Sequence, residues 1–406
     1  MGIQRISFEF MLTNYINIRL VNEELSKKAI SLHRKLKGKI FIESKISNLT
    51  LKDLQLIYTP GVASVCKEII NNPDSKYTLT SKGSNIAIVT DGTRLLGLGN
   101  VGADASLPVM EGKSVLYRKY GQLNAFPICL NTTDKKKIID TIEAIEPVFG
   151  AINLEDIESP KVMEIYKELE KRLEIPVFHD DGQGTAIVAL AGLINALKIV
   201  KKNLCEIKIV VAGAGSAGYF IGKLLNFAGC KNLILLDSRG VIYKNRKTNM
   251  TKYKIEIATL TNPKEKGQLS DVIKNADVFI GVSGIKDLLN PEMIKTMNKN
   301  SIVFALTNPY PEINPYNAKK SGAKIAATGS FLYKNTINNA IVFPYLMRAI
   351  LDLKIQKITM SVLHATSLAI AKTIPDHELS PDNIIPSIEN KALQKNITKS
   401  LEKLKS

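Results

Sequence analysis

Residues 207–225 read "IKIVVAGAGSAGYFIGKLL". An apolar strand, 207–212, runs straight into Gly213-Ala-Gly215-Ser-Ala-Gly218, and an apolar helix follows over 219–228. The first glycine suits a tight turn, the second lets backbone approach a pyrophosphate, and the third lets helix pack on strand. The helix N-terminus then presents its partial positive charge to phosphate. With them, Ser216 and Ala217 complete the cofactor-binding loop. Asp237 closes the next apolar run about 20 residues on, where a carboxylate can hold a ribose 2′-hydroxyl. That acid argues for NAD over NADP, while Arg239, two residues later, is placed to meet a 2′-phosphate.

Strand-like runs continue through "NLILLDSRG", "ADVFIGVSG", "SIVFALTNP" and "AKIAATG". Upstream, "SNIAIVTDGT", "NAFPICLNT" and "VFGAINLED" are further strands, with helical spacing in "DKKKIIDTIEAIE" between the last two. The expectation is an α/β protein: an N-terminal α/β catalytic domain over 1–175, and a Rossmann-type doubly wound dinucleotide-binding domain with C-terminal helices over 176–406. The chain's 406 residues suit two domains of roughly 150 or more. Residues 21–75 read as helical, and the tail from about 357 reads as polar and helical.

Composition excludes several classes. Apolar residues reach 45%, enough for sizeable cores. No run approaches the ~18 apolar residues of a membrane span, so 185–197 reads as a buried helix and no membrane partner is expected. Cys66, Cys129, Cys205 and Cys230 are widely spaced free thiols, with no metal or redox pairing. The first 20 residues make a poor secretory signal. A cytoplasmic protein is expected, with an organelle transit peptide left open. The net charge of +17 comes from lysines dispersed along the whole chain, and no nucleic-acid partner is expected.

"FHDDGQGTA", 178–186, puts Asp180 and Asp181 at the end of a strand, and "NLEDIES" does the same for Glu155 and Asp156. Carboxyl ends of strands are where open α/β sheets bind ligands. Convergent carboxylates call for a cation, and all-oxygen donors favour Mg²⁺ or Mn²⁺. His179 reads as a core residue rather than a ligand. Arg94 can form a fork on a substrate carboxylate. Lys113, in apolar surroundings, is expected to have a depressed pKa and to serve as a base. Tyr58 precedes a Thr-Pro-Gly turn.

"YTPGVA", "TDGTRLLGLG", "LPVMEGKS", "NLEDI", "VFHDDGQGTA", "GAGSAG", "ALTNPYPEI" and "INNAIVFP" together resemble the malic enzyme family in its shorter bacterial and archaeal form. They run in family order from about residue 30 to 350. The resemblance implies oxidative decarboxylation of malate to pyruvate with reduction of NAD, NADP being possible. It implies Tyr58 as the acid that protonates the enol and Lys113 as the base. Glu155, Asp156 and Asp181 would be ligands of Mg²⁺ or Mn²⁺, with Asp180 tied to the lysine. Arg94, Asn308 and Asn338 would hold malate or the nicotinamide side, and a homodimer or higher homo-oligomer is expected. Rivals are another metal-dependent hydroxy-acid dehydrogenase, a malolactic enzyme (expected to be longer), and a nucleotide-sensing or nucleic-acid-binding protein. Three positions depart from the family pattern: Gly182 replaces a larger polar residue, "ATGSFLYKN" lacks an Arg-Ser-Asp run, and Tyr345 stands where Gly is common.

Overall fold

The computed structural model describes residues 23–405, apart from 96, 262 and 263. The N-terminal targeting question lies outside the described residues. The chain divides into two compact units, Met1–Asp53 and Leu54–Ser406. Residues 23–36 of the first unit are helical. The second unit contains every described strand.

That unit holds two sheets. The first has the order β2-β1-β3-β4, from Asn124–Cys129, Asn85–Thr90, Ala151–Leu154 and Val177–His179, all parallel. β4 therefore belongs to the first sheet, and its strand runs past residue 175. Ile86, Ala87, Ile88 and Val89 are fully buried. A continuous apolar run with no polar alternation is what a parallel strand covered on both faces requires.

The second sheet has the order β10-β9-β8-β5-β6-β7. Five strands are parallel: β5 Lys208–Ala212, β6 Asn232–Asp237, β8 Val278–Gly281, β9 Ile302–Ala305 and β10 Ile325–Thr328. The two-residue β7, Gly240–Val241, pairs antiparallel with β6 and was too short to show in the apolar pattern.

Both sheets reverse winding direction. In the first, β1 lies between β2 and β3; in the second, β5 lies between β6 and β8. Crevices open beside such switch points, outside the carboxyl ends of the strands. The Asp91–Arg94 loop follows β1, Glu155 and Asp156 follow β3, Asp180 and Asp181 follow β4, and the glycine loop follows β5. Topology alone thus gathers the chemistry.

Helix Thr185–Val200 is apolar on all sides and almost wholly buried, as its composition demands. With the turn before it, it is long and apolar enough to cross a membrane by length and composition, yet 78% of its most apolar stretch is buried inside the protein. The C-terminal tail is less polar than its composition suggested. Helix Met360–Ala371 buries Val362, Leu363, Ala369 and Ile370, and helix Ala392–Glu402 buries Leu393, Ile397 and Leu401. In the second helix, Lys395 and Lys399 lie between the buried positions and mask its core face.

Gly182 is explained by its neighbours. A Cβ there would stand 2.4 Å from Phe220 Cδ2 and 3.0 Å from His179 Nδ1. A larger residue has no room against the His179–Phe220 stack. Gly182→Ala should therefore destabilise the fold by about 1–3 kcal/mol through overpacking. Phe220→Leu in the same chain should recover part of the loss in thermal unfolding. Tyr345, another of the three departures, is buried and donates its hydroxyl to the Ile388 carbonyl at 2.5 Å, clasping the C-terminal segment.

Candidate active site

One cavity of about 670 Å³ collects Arg94, Lys113, Glu155, Asp156, Asp181, Asn308 and Asn338, with Ala217 of the glycine loop on its wall. A second, of about 520 Å³, takes Gly213, Gly215 and Asp237. Seven predicted site residues therefore share one space with the start of a dinucleotide-binding helix.

Lys113 lies mid-helix in Gly102–Gly121 and is only 7% exposed. Its ammonium contacts the Asp180 carboxylate directly and Glu155 Oε2 at 2.7 Å. Phe343 covers it, with the nitrogen 4.2 Å from the ring centroid. Burial alone would lower the lysine pKa, but Asp180 and Glu155 outweigh burial and hold it above the ordinary value. The expected depression is thus reversed. Along its own helix Lys113 has mainly apolar neighbours, and the two acids that hold its proton come from the ends of β3 and β4.

The acids are themselves crowded. Burial pushes the Glu155 carboxyl well up, and burial followed by Asp181 pushes Asp156 up to about 8. Burial also raises Asp180, against the pull of Lys113. Asp156 has a left-handed backbone, φ 49°, and its N–H donates to Asp181 Oδ2 at 3.0 Å. Four carboxylates face two cations, Lys113 and Arg94, leaving two formal negative charges uncompensated. Among the described residues no three His, Cys, Asp or Glu side chains stand in ready metal-ligand geometry. Lys113 and Asn153 contact Glu155 Oε2, and the Asp156 N–H donates to Asp181 Oδ2. The donor chemistry still fits a hard divalent cation, which would supply the two missing positive charges.

Arg94 is exposed to the cavity. Its backbone N–H donates to the Asp156 carbonyl at 3.1 Å, and its Nη1 reaches Ser216 Oγ at 3.5 Å. The loop that carries it is fixed by the buried Asp91, which accepts from Thr93 and pairs with Lys161 at 2.6 Å. Asn308 and Asn338 both donate to the Gly329 carbonyl, at 3.2 and 2.8 Å.

Four contributors escaped the sequence reading. Asn339, the second asparagine of "INNA", donates to Asp180 Oδ2 at 2.8 Å. Phe343 is the aromatic lid on Lys113. Tyr117 and Asn153 form a buried chain: the tyrosine hydroxyl donates to Asn153 Oδ1 at 2.6 Å, and Asn153 Nδ2 donates to Glu155 Oε2 at 3.1 Å. The doublet and the i,i+4 spacing of Lys113 and Tyr117 were the available signals. His179 is fully buried, as expected for a core residue, and neither ring nitrogen has a hydrogen-bond partner among the described residues. Burial lowers its pKa to about 4, so it is neutral.

Tyr58 is not brought to this cavity. It is 69% exposed, and no residue of the adjacent helix Val62–Asn71 is buried. Nothing in its local sequence signals this, because the turn motif fixes backbone shape and not which surface covers the ring.

On the nucleotide side, a Cβ at Gly218 would fall 1.8 Å from the Gly213 carbonyl oxygen, so only glycine closes this turn. Asp237 is not free. Arg246 forks onto both its oxygens at 2.7 and 2.8 Å, Lys254 pairs at 2.6 Å and Asn249 donates at 3.0 Å. Arg239 offers Asp237 only its backbone N–H, at 2.8 Å. The cations beside the acid are Arg246 and Lys254, which lie 9 and 17 residues away along the chain and carry no motif.

Residues 182–400 match the family described as malic enzyme, NAD binding domain, and residues 36–139 match malic enzyme, N-terminal domain. The chain belongs to the malic enzyme family. It is 45% identical over 380 residues to the bifunctional malic/malolactic enzyme of Bacillus subtilis, covering 93% of this chain and 92% of that one. It is 46% identical over 374 residues to the NAD-dependent malic enzyme of Geobacillus stearothermophilus, covering 92% of this chain and 77% of the relative. The crystal structure of NAD-dependent malic enzyme from Thermotoga maritima superposes with a TM-score of 0.88 at 41% identity, covering 92% of this chain and 98% of that one. The malic enzyme fold thus extends over nearly the whole chain. The Bacillus relative also removes chain length as a way to set a malolactic enzyme apart.

Proposed function

We propose that this chain catalyses metal-dependent oxidative decarboxylation of (S)-malate to pyruvate and CO₂ with reduction of NAD⁺. The observation that carries the reading is Lys113, held between Asp180 and Glu155 in a cavity shared with Arg94, Asp156, Asp181 and the glycine loop. Glu155, Asp156 and Asp181 would hold Mg²⁺ or Mn²⁺. When bound, that cation supplies electrostatic stabilisation for negative charge growing on the substrate oxygen. NAD⁺ is the hydride acceptor.

The chain's own groups do the rest. Arg94 orients malate through a carboxylate. Asp180, kept in place by Asn339, is in direct contact to receive the Lys113 proton once a cation among the acids offsets the negative charge that holds it on the lysine. The freed amine removes the C2 hydroxyl proton as hydride leaves. Tyr58 returns a proton to C3 after CO₂ departs. Leu56, Tyr58 and Ile70 are 63%, 69% and 76% exposed, and we infer that a second copy of the chain covers this surface and completes the homo-oligomer.

Malate, NAD⁺ and Mn²⁺ should yield pyruvate and NADH in equal amounts. Lactate without net NADH would favour a malolactic reaction, a second reading supported by the 45% identical Bacillus relative. Oxaloacetate as the sole product would sink both.

Coenzyme preference follows from the clamped acid. Asp237 is already neutralised by two cations, so its power to repel a 2′-phosphate is blunted. NAD⁺ is expected to lead NADP⁺ by a modest margin in kcat/KM. Lys254→Ala should widen that margin by about tenfold, the scale of one charge-assisted hydrogen bond. A margin that narrows instead would show that Lys254 serves NAD.

A further inference from the structure

Glu312 is fully buried and lies outside the carboxylate cluster. A buried charge is retained only where donors satisfy it. Glu312 Oε1 accepts from the Ser283 backbone N–H and hydroxyl, both at 2.8 Å, and from the Thr307 hydroxyl at 2.5 Å. Its Oε2 accepts from the Thr307 backbone N–H at 3.3 Å. The network continues outward: Gly284 N–H donates to Thr307 Oγ1 at 3.0 Å, and Ile285 N–H to Ser283 Oγ at 3.1 Å. A Cβ on Gly281 would lie 2.4 Å from the Glu312 carboxyl carbon, so the last residue of β8 is kept bare to admit it.

Ser283 follows β8 and Thr307 follows β9. One carboxylate therefore ties together the loops at the carboxyl ends of two adjacent strands. Val282, Gly284, Thr307 and Asn308 from these loops line the larger cavity. The position relative to the cofactor follows from strand order. The glycine loop after β5 takes the pyrophosphate, and β6, with Asp237, lies on one side of β5 for the adenosine ribose. The nicotinamide half must then run over the opposite side, which is β8 and β9.

We infer that Glu312 is a positioning residue for the nicotinamide half of the dinucleotide, setting the spacing of the two loops on which the reactive ring rests. This deepens the function proposed above and rests on it. The glutamate touches no substrate; it acts through Ser283, Thr307 and the neighbouring Asn308.

The test is direct binding to the full-length protein with Mn²⁺ present, using two probes. NADH carries the nicotinamide ring, and ADP-ribose carries the adenosine and pyrophosphate without it. Glu312→Gln replaces an acceptor by a donor facing N–H and O–H groups. It should weaken NADH binding by about tenfold, the scale of one lost charge-assisted hydrogen bond, with ADP-ribose affinity within about twofold of wild type. Thr307→Val, which removes one donor to the same carboxylate and is the milder change, should shift NADH in the same direction and spare ADP-ribose. It decides the matter if Glu312→Gln does not fold. Unaltered NADH binding in the folded variants, or equal loss of both probes, overturns the inference. Failure of the unaltered chain to bind NADH would overturn the function reading and this inference with it.

Discussion

Lys113→Ala is expected to lose malate-dependent reduction of NAD⁺ by roughly 10²–10⁴-fold, the range for removal of a positioned general base. The loss should fall on kcat more than on malate KM, because Arg94 and the asparagines remain. Lys113→Arg should not rescue it. Arginine keeps the charge between Asp180 and Glu155 but holds its proton at any accessible pH. A comparison with Tyr58→Phe separates the two proton transfers. Added oxaloacetate bypasses hydride transfer, so Tyr58→Phe should still release CO₂ from it while exchanging the pyruvate methyl protons in D₂O more slowly than wild type. Wild-type exchange in Tyr58→Phe would remove the tyrosine from the acid role and leave Lys113 to serve both steps.

Chelation should have an effect of similar size. EDTA is expected to abolish turnover, and Mg²⁺ or Mn²⁺ to restore it. Asp181→Asn should raise the metal concentration needed for half-maximal activity by roughly tenfold or more, the scale of one lost charged interaction at an oxygen-ligand site. Two formal negative charges are left over among Glu155, Asp156, Asp180 and Asp181 once Lys113 and Arg94 are set against them. Full activity in EDTA would mean that another group supplies the compensation. A metal requirement untouched by Asp181→Asn would remove that residue from the ligand set.

Much of this was legible in the chain itself. The parallel strands announced themselves as unbroken apolar runs, and the acids at their ends fell where strand ends converge. Short-range patterns reveal such features because a strand's burial is written in its own residues. Residues that act through distant partners stayed hidden. Lys113 looked like an isolated amine because Asp180, 67 positions away, is invisible to a local reading. Asp237 looked free because Arg246 and Lys254 reach it across a turn and a helix start. Glu312 sat inside a quoted motif, but nothing in "NPYPEI" says that its carboxylate lies under two loops. Tyr58 was placed at the site by family likeness alone, and the isolated chain leaves it on the surface.

Asp156 combines a left-handed backbone with a buried carboxyl forced upward by its neighbours. Each is a local expense that the rest of the fold must absorb. Protein engineering that selects only for heat resistance would be drawn to this position: glycine would relax the backbone, and asparagine would shed the charge. Either exchange would look like an improvement until catalysis was measured. Thermostability is thus a misleading guide here, and a useful selection on this scaffold would have to score turnover alongside melting.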